Sequence, residues 1–422
     1  MSIPQASVEK GTERQKMKKF IMYGAGNIGR GFIGQTFAAA GYRVGFIDIN
    51  TEIINALNAR GEYPVNVVTT EENIELPVKN VYGIDGRDVE KVSDEIARCD
   101  MMATAIGVNV LKFIAGPIAK GIKKRAAGSG KPLNIIICEN MIGADEYLKG
   151  LVLAAIPECK DFVEENVGFI EASIGRMVPV MTEERRAGDI LRVYAEPYNI
   201  LPVDKAAFKG EVPDDVGNLY PYAPFSLFIQ RKLFMHNMSH ALTAYLGNLR
   251  GYEYIYRAID DFDIRYCALR ALTSAALAVA AENGAEIAGL IKHAEDLLYR
   301  FTNTALADTV ERVGRDTQRK LGENDRLVGA LKLCEKHGVD ASYICVGIAA
   351  AMLFAPESDA SSAEVCAFAA ENGVAETLCK YSAYTGGYTD TVAAIYADLK
   401  AGKTLAEVIG AIDKTAGKQT IV

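Results

Sequence analysis

The sequence lacks an excess of positive charge. Its 46 Lys and Arg residues are outnumbered by 54 Asp and Glu, which leaves a formal net charge of −8 over 422 residues. An acidic balance argues against nucleic acid or an anionic membrane as the main partner. It leaves open a small anionic substrate, because a few arginine or lysine side chains placed together outweigh the overall sign. The length favours two domains.

Cysteine pairs and long hydrophobic runs are also missing. The eight cysteines form no C-x-x-C pair, which is typical of reduced thiols in a cytoplasmic protein and not of a disulfide framework or zinc knuckle. The longest strongly apolar run, about 344–355, is shorter than the ~20 residues needed to span a bilayer. The N-terminus has no apolar region of a signal peptide. We expect a cytoplasmic protein, a monomer or weak homodimer, with residues 1–17 as a disordered extension.

A glycine-rich segment follows the first predicted strand, 20–23, and opens a predicted helix. It reads Tyr23-Gly24-Ala25-Gly26-Asn27-Ile28-Gly29-Arg30 and matches G-x-G-x-x-G. In this pattern Gly24 permits a tight turn, Gly26 lets a pyrophosphate approach the backbone, and Gly29 lets helix and strand pack closely. The free N–H groups at the helix start would face the phosphate. The segment therefore predicts a dinucleotide site.

The second predicted strand ends at Asp48, 19 residues after Gly29. A carboxylate at this place binds the adenosine ribose hydroxyls and repels a 2′-phosphate, so the cofactor is predicted to be NAD and not NADP. Ala105 and Gly107, at the end of another predicted strand, are small and would leave room for the nicotinamide half. An ordinary glycine turn, a solvated Asp and a simple strand-end turn are the plain alternatives.

Apolar runs and helical patterns alternate over the first 200 residues. Predicted strands at 20–23, 44–47, 101–105 and 133–138, with helices at 28–40 and 51–59, indicate a parallel sheet covered on both faces, with 191–194 as a late strand of the same sheet. Helical patterns dominate from about 224, at 225–246, 264–283, 285–302, 343–352 and 362–372. We therefore predict an α/β Rossmann-type dinucleotide-binding domain over 18–205 and a mostly α-helical substrate domain over 206–422.

The segment 231–240 carries residues suited to hydride-transfer chemistry, which needs a base for the hydroxyl proton and donors around the developing oxyanion. On an α-helix, Lys232, His236 and His240 share one face and Asn237 lies on its flank. Among apolar neighbours a lysine pKa falls toward the ~7–8 of a general base. A surface lysine, core histidines and an i,i+4 metal pair are the alternatives; the last is weak because the H-E-x-x-H glutamate is missing.

Two further groups are candidates for the same crevice. Asn140 follows a predicted strand and would face the strand ends. Several arginines are candidate anion ligands, although a solvated helix face explains any single one equally well: Arg176, Arg312, Arg315, Arg319 and Arg326.

Together these residues resemble the polyol-specific long-chain dehydrogenases, the mannitol dehydrogenase family, from about Lys18 to past Phe354. The resemblance rests on separated blocks: 24–34, 132–141, 167–170, 231–247 and 311–327. It departs from the family pattern at Thr304, Val108 and Gly329-Ala330, where related chains carry proline.

The resemblance implies roles for individual residues. Its pattern K-x-x-x-x-N-x-x-H falls on Lys232, Asn237 and His240. Lys232 would be the general base, Asn140 and Asn237 an oxyanion hole, and His240 a substrate ligand that helps to position Lys232. No metal is implied, and His236 has no assigned role.

The implied reaction is the NAD-linked interconversion of D-mannitol 1-phosphate and D-fructose 6-phosphate. The phosphate rests on the basic cluster 312–320, so a dehydrogenase of an unphosphorylated polyol or a hexuronate is the alternative. A non-catalytic NAD-binding sensor is a third possibility of a different class.

Replacing Asp48 tests the cofactor assignment. In Asp48→Ala we expect weaker NAD binding and relaxed exclusion of NADP, because the carboxylate that binds the ribose hydroxyls and repels the 2′-phosphate is gone. Steady-state kinetics with both cofactors measure the change. An unchanged preference would contradict the ribose role.

Overall fold

The computed structural model describes residues 17–417, so nearly all of the predicted extension at 1–17 lies outside the described residues. The strands, numbered in chain order, are Lys19–Tyr23 (β1), Arg43–Asp48 (β2), Glu62–Val68 (β3), Asn73–Lys79 (β4), Val81–Asp85 (β5), Met101–Thr104 (β6), Leu133–Ile137 (β7), Val167–Glu171 (β8), Val193–Ala195 (β9), Leu201–Asp204 (β10) and Leu219–Tyr222 (β11).

The helices of the first half are Gln35–Ala39 (α1), Thr51–Arg60 (α2), Val89–Arg98 (α3), Val108–Ala127 (α4), Ala144–Ala155 (α5), Lys160–Asn166 (α6) and Glu183–Arg186 (α7). Those of the second half are Ser226–Gln230 (α8), Met238–Leu249 (α9), Ile255–Asp260 (α10), Phe262–Asn283 (α11), Ile287–Phe301 (α12), Val310–Gly314 (α13), Thr317–Lys320 (α14), Val328–Lys336 (α15), Ser342–Ala351 (α16), Ala360–Ser382 (α17), Thr389–Lys400 (α18) and Leu405–Gly417 (α19). Two π-helical segments, Gly29–Gly34 and Arg231–Asn237, lead directly into α1 and α9.

The main sheet has six strands in the order β5-β2-β1-β6-β7-β8, and all neighbours are parallel. This is the order of a doubly wound nucleotide-binding sheet. From β1 the chain adds strands first on one side and then, from β6, on the other, so the ligand crevice lies outside the carboxyl ends of β1 and β6. The predicted α/β domain with a parallel sheet is confirmed.

The late strand was placed wrongly from sequence. Val193–Ala195 does not join the main sheet but pairs with β3 in a separate sheet of order β4-β3-β9. The β3–β4 hairpin was not predicted, and its outer strand is almost entirely exposed. Val193 and Ala195 are buried while Tyr194 is half-buried. That alternation is typical of a strand with one covered face, whereas parallel strands of a central sheet are buried on both faces.

The second half is helical, as predicted. The chain enters it through the short parallel pair β10–β11. Residues after position 205 still contact the nucleotide-binding half, because Asp215 accepts hydrogen bonds from Lys18 and Tyr42.

Helix α11 is long and apolar enough to cross a membrane by length and composition, but 56% of its most apolar window is buried. It packs in the core of the helical half.

A buried ion pair joins the two halves. The Arg300 guanidinium, on α12, donates to both carboxylate oxygens of Glu196, which follows β9, at 2.8 and 2.5 Å. The Arg300 side chain is 7% exposed and that of Glu196 is 1% exposed. Arg300 also donates to the Gly175 carbonyl and lies over the Tyr198 ring, 4.2 Å from its centroid. These contacts fix α12 against the sheet domain.

Breaking this pair is expected to destabilise the protein strongly. Glu196→Gln leaves the buried Arg300 guanidinium with only a 3.4 Å contact to the partly exposed Asp296 carboxylate, and removing one partner of a buried ion pair costs about 3–5 kcal/mol of unfolding free energy. Urea denaturation measures the change. Glu158→Gln is the control, because it breaks an ion pair with Lys123 whose side chains are 58% and 51% exposed, and exposed pairs contribute about 0–1 kcal/mol. Equal losses in the two variants would contradict the expectation.

Candidate active site

The glycine loop has the geometry that a bound dinucleotide requires. Gly24 has a φ of +109°, and a Cβ there would lie 2.4 Å from the Ala105 carbonyl oxygen. A Cβ on Gly29 would lie 2.1 Å from the Gly24 oxygen, so helix and strand pack as closely as predicted. At Gly26 a Cβ would meet nothing within 4 Å, which leaves open space in front of the backbone. The loop therefore fits a pyrophosphate at Gly26.

Asp48 ends β2 beside this loop. Its carboxylate accepts hydrogen bonds from the Ala25 amide at 2.8 Å and from the Asn50 amide at 2.9 Å. These bonds hold the carboxylate next to the glycine turn. A carboxylate held there fits the ribose hydroxyls of NAD.

The other residues of 23–30 pack or hydrogen-bond against the rest of the domain and so hold the glycine loop in place. Tyr23 is the last residue of β1 and is 6% exposed. The Asn27 side chain donates to the Pro179 carbonyl. Ile28 is half-buried against the domain core. The Arg30 guanidinium donates to the Ile190 carbonyl, and the residue is 2% exposed, so this side chain is not available to a phosphate.

A second turn, after β6, lies against the first. The Glu139 carboxylate accepts hydrogen bonds from the Ile106 amide at 3.0 Å and the Gly107 amide at 2.8 Å. It therefore fixes the turn that carries Ala105 and Gly107, at the edge where the crevice lies. Sequence reasoning missed this role. The only signal was that Glu139 follows the same strand as Asn140.

The π-helical segment 231–237 determines which of its side chains line the same cavity. In a π-helix the hydrogen bonds run from i to i+5, so residues five apart stack. Lys232 and Asn237 are five apart, and both line a cavity of about 490 Å³ together with Asn140. The predicted face of Lys232, His236 and His240 assumed regular α-helical turns, whereas 231–237 is π-helical, and of these three residues Lys232 lines the cavity and the histidines do not.

The two histidines lie away from this cavity. The His240 ring stacks on Phe301 with centroids 4.8 Å apart, and its Nε2 lies 3.6 Å from an Asp308 carboxylate oxygen. It lines a separate small cavity. Burial lowers the pKa of His240 to about 4 and holds the pKa of His236 well below its usual value. The structure therefore does not bring His240 to Lys232, and its role as a substrate ligand stays a prediction.

The environment of Lys232 suits a general base. Burial, and next the positive charge of Arg326, lower its pKa to about 8. An amine with this pKa exchanges a proton near neutral pH, where a surface lysine stays charged. Three side chains with the chemistry of proton transfer and oxyanion binding thus face one cavity: Lys232, Asn140 and Asn237. Within residues 17–417 no three metal-ligating side chains come together, and the metal-free mechanism stays a prediction.

Two of the five candidate arginines line the cavity. Arg326 is bound through Nε to Asp325 at 2.7 Å, and Arg319 is paired with Asp316 at 2.5 Å. The others are used elsewhere or point away: Arg176 donates to the Gly31 carbonyl, Arg312 pairs with Asp308, and Arg315 is exposed outside the cavity lining. Of the candidate anion ligands, Arg319 and Arg326 therefore reach the cavity wall, in a segment that also brings the carboxyl groups of Glu323 and Asp325 there.

The glycine loop with Asp48, and the cavity lined by Lys232 and the two asparagines, are typical of a two-domain, dinucleotide-dependent oxidoreductase. The family model of the mannitol dehydrogenase Rossmann domain matches residues 18–214, and that of the mannitol dehydrogenase C-terminal domain matches residues 225–410. The chain belongs to the mannitol dehydrogenase family, which confirms the predicted class of NAD-dependent polyol dehydrogenase.

Individual relatives agree with this assignment. The chain is 39% identical over 369 residues to a mannitol-1-phosphate 5-dehydrogenase of Brevibacillus brevis, covering 87% of this chain and 94% of the relative. A D-sorbitol dehydrogenase structure superposes with a TM-score of 0.77 at 18% identity, over 93% of this chain and 95% of that one. Pseudomonas fluorescens mannitol 2-dehydrogenase superposes with a TM-score of 0.73 at 15% identity, over 95% of each chain. At these identities the two structures show a shared fold.

Proposed function

We propose that this enzyme catalyses the reversible, NAD-linked oxidation of D-mannitol 1-phosphate to D-fructose 6-phosphate. The observation that carries the proposal is the single cavity that joins Lys232, whose pKa is near 8, to the arginines of the 319–326 loop. The 39% identical relative of that name supports the same substrate pair.

In the direction of oxidation, neutral Lys232 accepts the hydroxyl proton at Nζ. The side-chain amides of Asn140 and Asn237 donate hydrogen bonds to the oxygen as negative charge develops on it. NAD, which the glycine loop and Asp48 would hold, would supply the acceptor for the hydride of the carbinol carbon. In ketose reduction the protonated Lys232 donates its proton to the same oxygen. The low pKa keeps both protonation states accessible near neutral pH, so one group serves both directions.

Arg319 and Arg326 supply the anion site. A guanidinium binds phosphate oxygens through charge-assisted, often paired, hydrogen bonds. Only the Nε of Arg326 is engaged by Asp325 among the described residues, which leaves its terminal nitrogens for a ligand. A phosphorylated substrate is therefore favoured over a free polyol.

Replacing Lys232 separates catalysis from cofactor binding. Lys232→Ala should lower kcat by about 10²–10⁴-fold, because it removes the proton acceptor, while NADH affinity stays within twofold. In the wild type, the rate of polyol oxidation should rise with pH through about 8, as the lysine loses its proton, and ketose reduction should fall over the same range.

Steady-state assays at a series of pH values measure kcat in both directions, and fluorescence titration measures the affinity for NADH. Lys123→Ala, an exposed lysine paired with Glu158, is the control. Wild-type turnover in Lys232→Ala would remove this residue from the mechanism. A wild-type protein that binds NADH but neither oxidises a polyol nor reduces a ketose would favour the alternative of a non-catalytic NAD-binding sensor.

Replacing Arg326 tests the phosphate. Arg326→Met should raise KM for D-fructose 6-phosphate by about 10–100-fold, since it removes charge-assisted hydrogen bonds of about 1.5–3 kcal/mol. Because Arg326 also lowers the pKa of Lys232, the change in kcat/KM with fructose serves as the internal reference. Arg315→Met, outside the cavity lining, is the control variant. Equal losses with fructose and its phosphate would favour an unphosphorylated polyol.

A further inference from the structure

One carboxyl group in the lining of the substrate cavity has, among the described residues, neither an ion pair nor more than a single long hydrogen bond. Four carboxyl side chains line the cavity: Glu139, Glu171, Glu323 and Asp325. Three of them have partners, since Glu139 accepts two backbone amides, Asp325 pairs with Arg319 and Arg326, and Glu323 pairs with Lys332. Glu171 is the fourth.

Glu171 is the last residue of the edge strand β8 and is half-buried. Among residues 17–417 it forms no ion pair, and its one hydrogen bond is a long one from the Gly143 amide at 3.4 Å. The charged groups facing it are two more carboxylates, Asp145 on α5 and Asp204 at the end of β10. Burial, and then Asp145, raise the pKa of Glu171 to about 7.

An unneutralised carboxyl group is costly to hold in a partly buried position. Nothing in the packing of β8 requires it, because the strand is already buried through Val167–Ile170 and paired with β7. A perturbed group in the wall of a substrate cavity is a candidate for a role in recognition.

We propose that Glu171 restricts the cavity to substrates with a single anionic group. The inference rests on the proposed function, in which Arg319 and Arg326 hold one phosphate. A hexitol or ketose monophosphate then presents only uncharged hydroxyl and carbonyl groups to the remainder of the cavity, and a carboxylate accepts hydrogen bonds from the hydroxyls. A sugar bisphosphate or a phosphorylated sugar acid brings a second anion, which the carboxylate of Glu171 repels.

The test compares two ligands that differ by one phosphate. D-fructose 6-phosphate and D-fructose 1,6-bisphosphate are titrated calorimetrically into the protein–NAD complex, in which the cofactor has no hydride to give to a ketose, at a pH of about 8.5, above the pKa of Glu171. In Glu171→Gln, an isosteric change that removes the charge, the affinity for the bisphosphate relative to the monophosphate should rise about tenfold, the size of one like-charge interaction across several ångströms of a partly screened site. Glu171→Ala should shift the ratio in the same direction.

Glu323→Gln is the matched control, because it also removes a carboxylate from the cavity lining. The Glu323 carboxylate is already paired with Lys332, and its side chain is 50% exposed. Its ratio should change less than twofold. An unchanged ratio in both Glu171 variants, with folding verified by thermal denaturation, would overturn the inference. Failure of the proposed function has a separate sign, the absence of D-fructose 6-phosphate reduction by the wild type.

Discussion

Glu196 and Arg300 form the bidentate ion pair on which the alignment of the two halves depends. Arg176 donates to the Glu196 carbonyl and also to the carbonyl of Gly31 in the nucleotide-binding helix. On the other side, Arg300 is followed by Phe301, whose ring stacks on His240 of the lysine-bearing helix. One contiguous set of contacts therefore links the helix that faces the pyrophosphate to the helix that carries the base. Hydride transfer needs cofactor and base held in fixed relation, which this buried link provides.

The nucleotide site was predictable because its constraints are local. Gly24 and Gly29 stand where any Cβ would collide with backbone, so the sequence pattern and the geometry carry the same information. The alternation of strands and helices fixed the domain class in the same way. The late strand was misplaced because pairing with β3 is a long-range choice, which a run of three residues does not encode.

The catalytic wall was only partly predictable. Lys232, Asn237 and Asn140 were candidates from their position in the sequence, the family resemblance gave them roles, and all three line the cavity. Their arrangement depends on the π-helical segment, in which hydrogen bonds run from i to i+5. The α-helical spacing of 3.6 residues per turn does not predict that pattern. The spacing of five between Lys232 and Asn237 was the available signal. Glu139 and Glu171 gave no periodic signal, since their roles depend on contacts across neighbouring strands.

The central claim is that Lys232, Asn140 and Asn237 converge on one substrate oxygen while the 319–326 loop holds the phosphate. A crystal structure of the dead-end complex with NADH and D-mannitol 1-phosphate tests it most directly. The account predicts the Lys232 Nζ and both asparagine amides at about hydrogen-bond distance, ~3 Å, from the same hydroxyl oxygen, with the phosphate on Arg326. A phosphate bound elsewhere, or a reacting hydroxyl beyond the reach of Lys232, would contradict it.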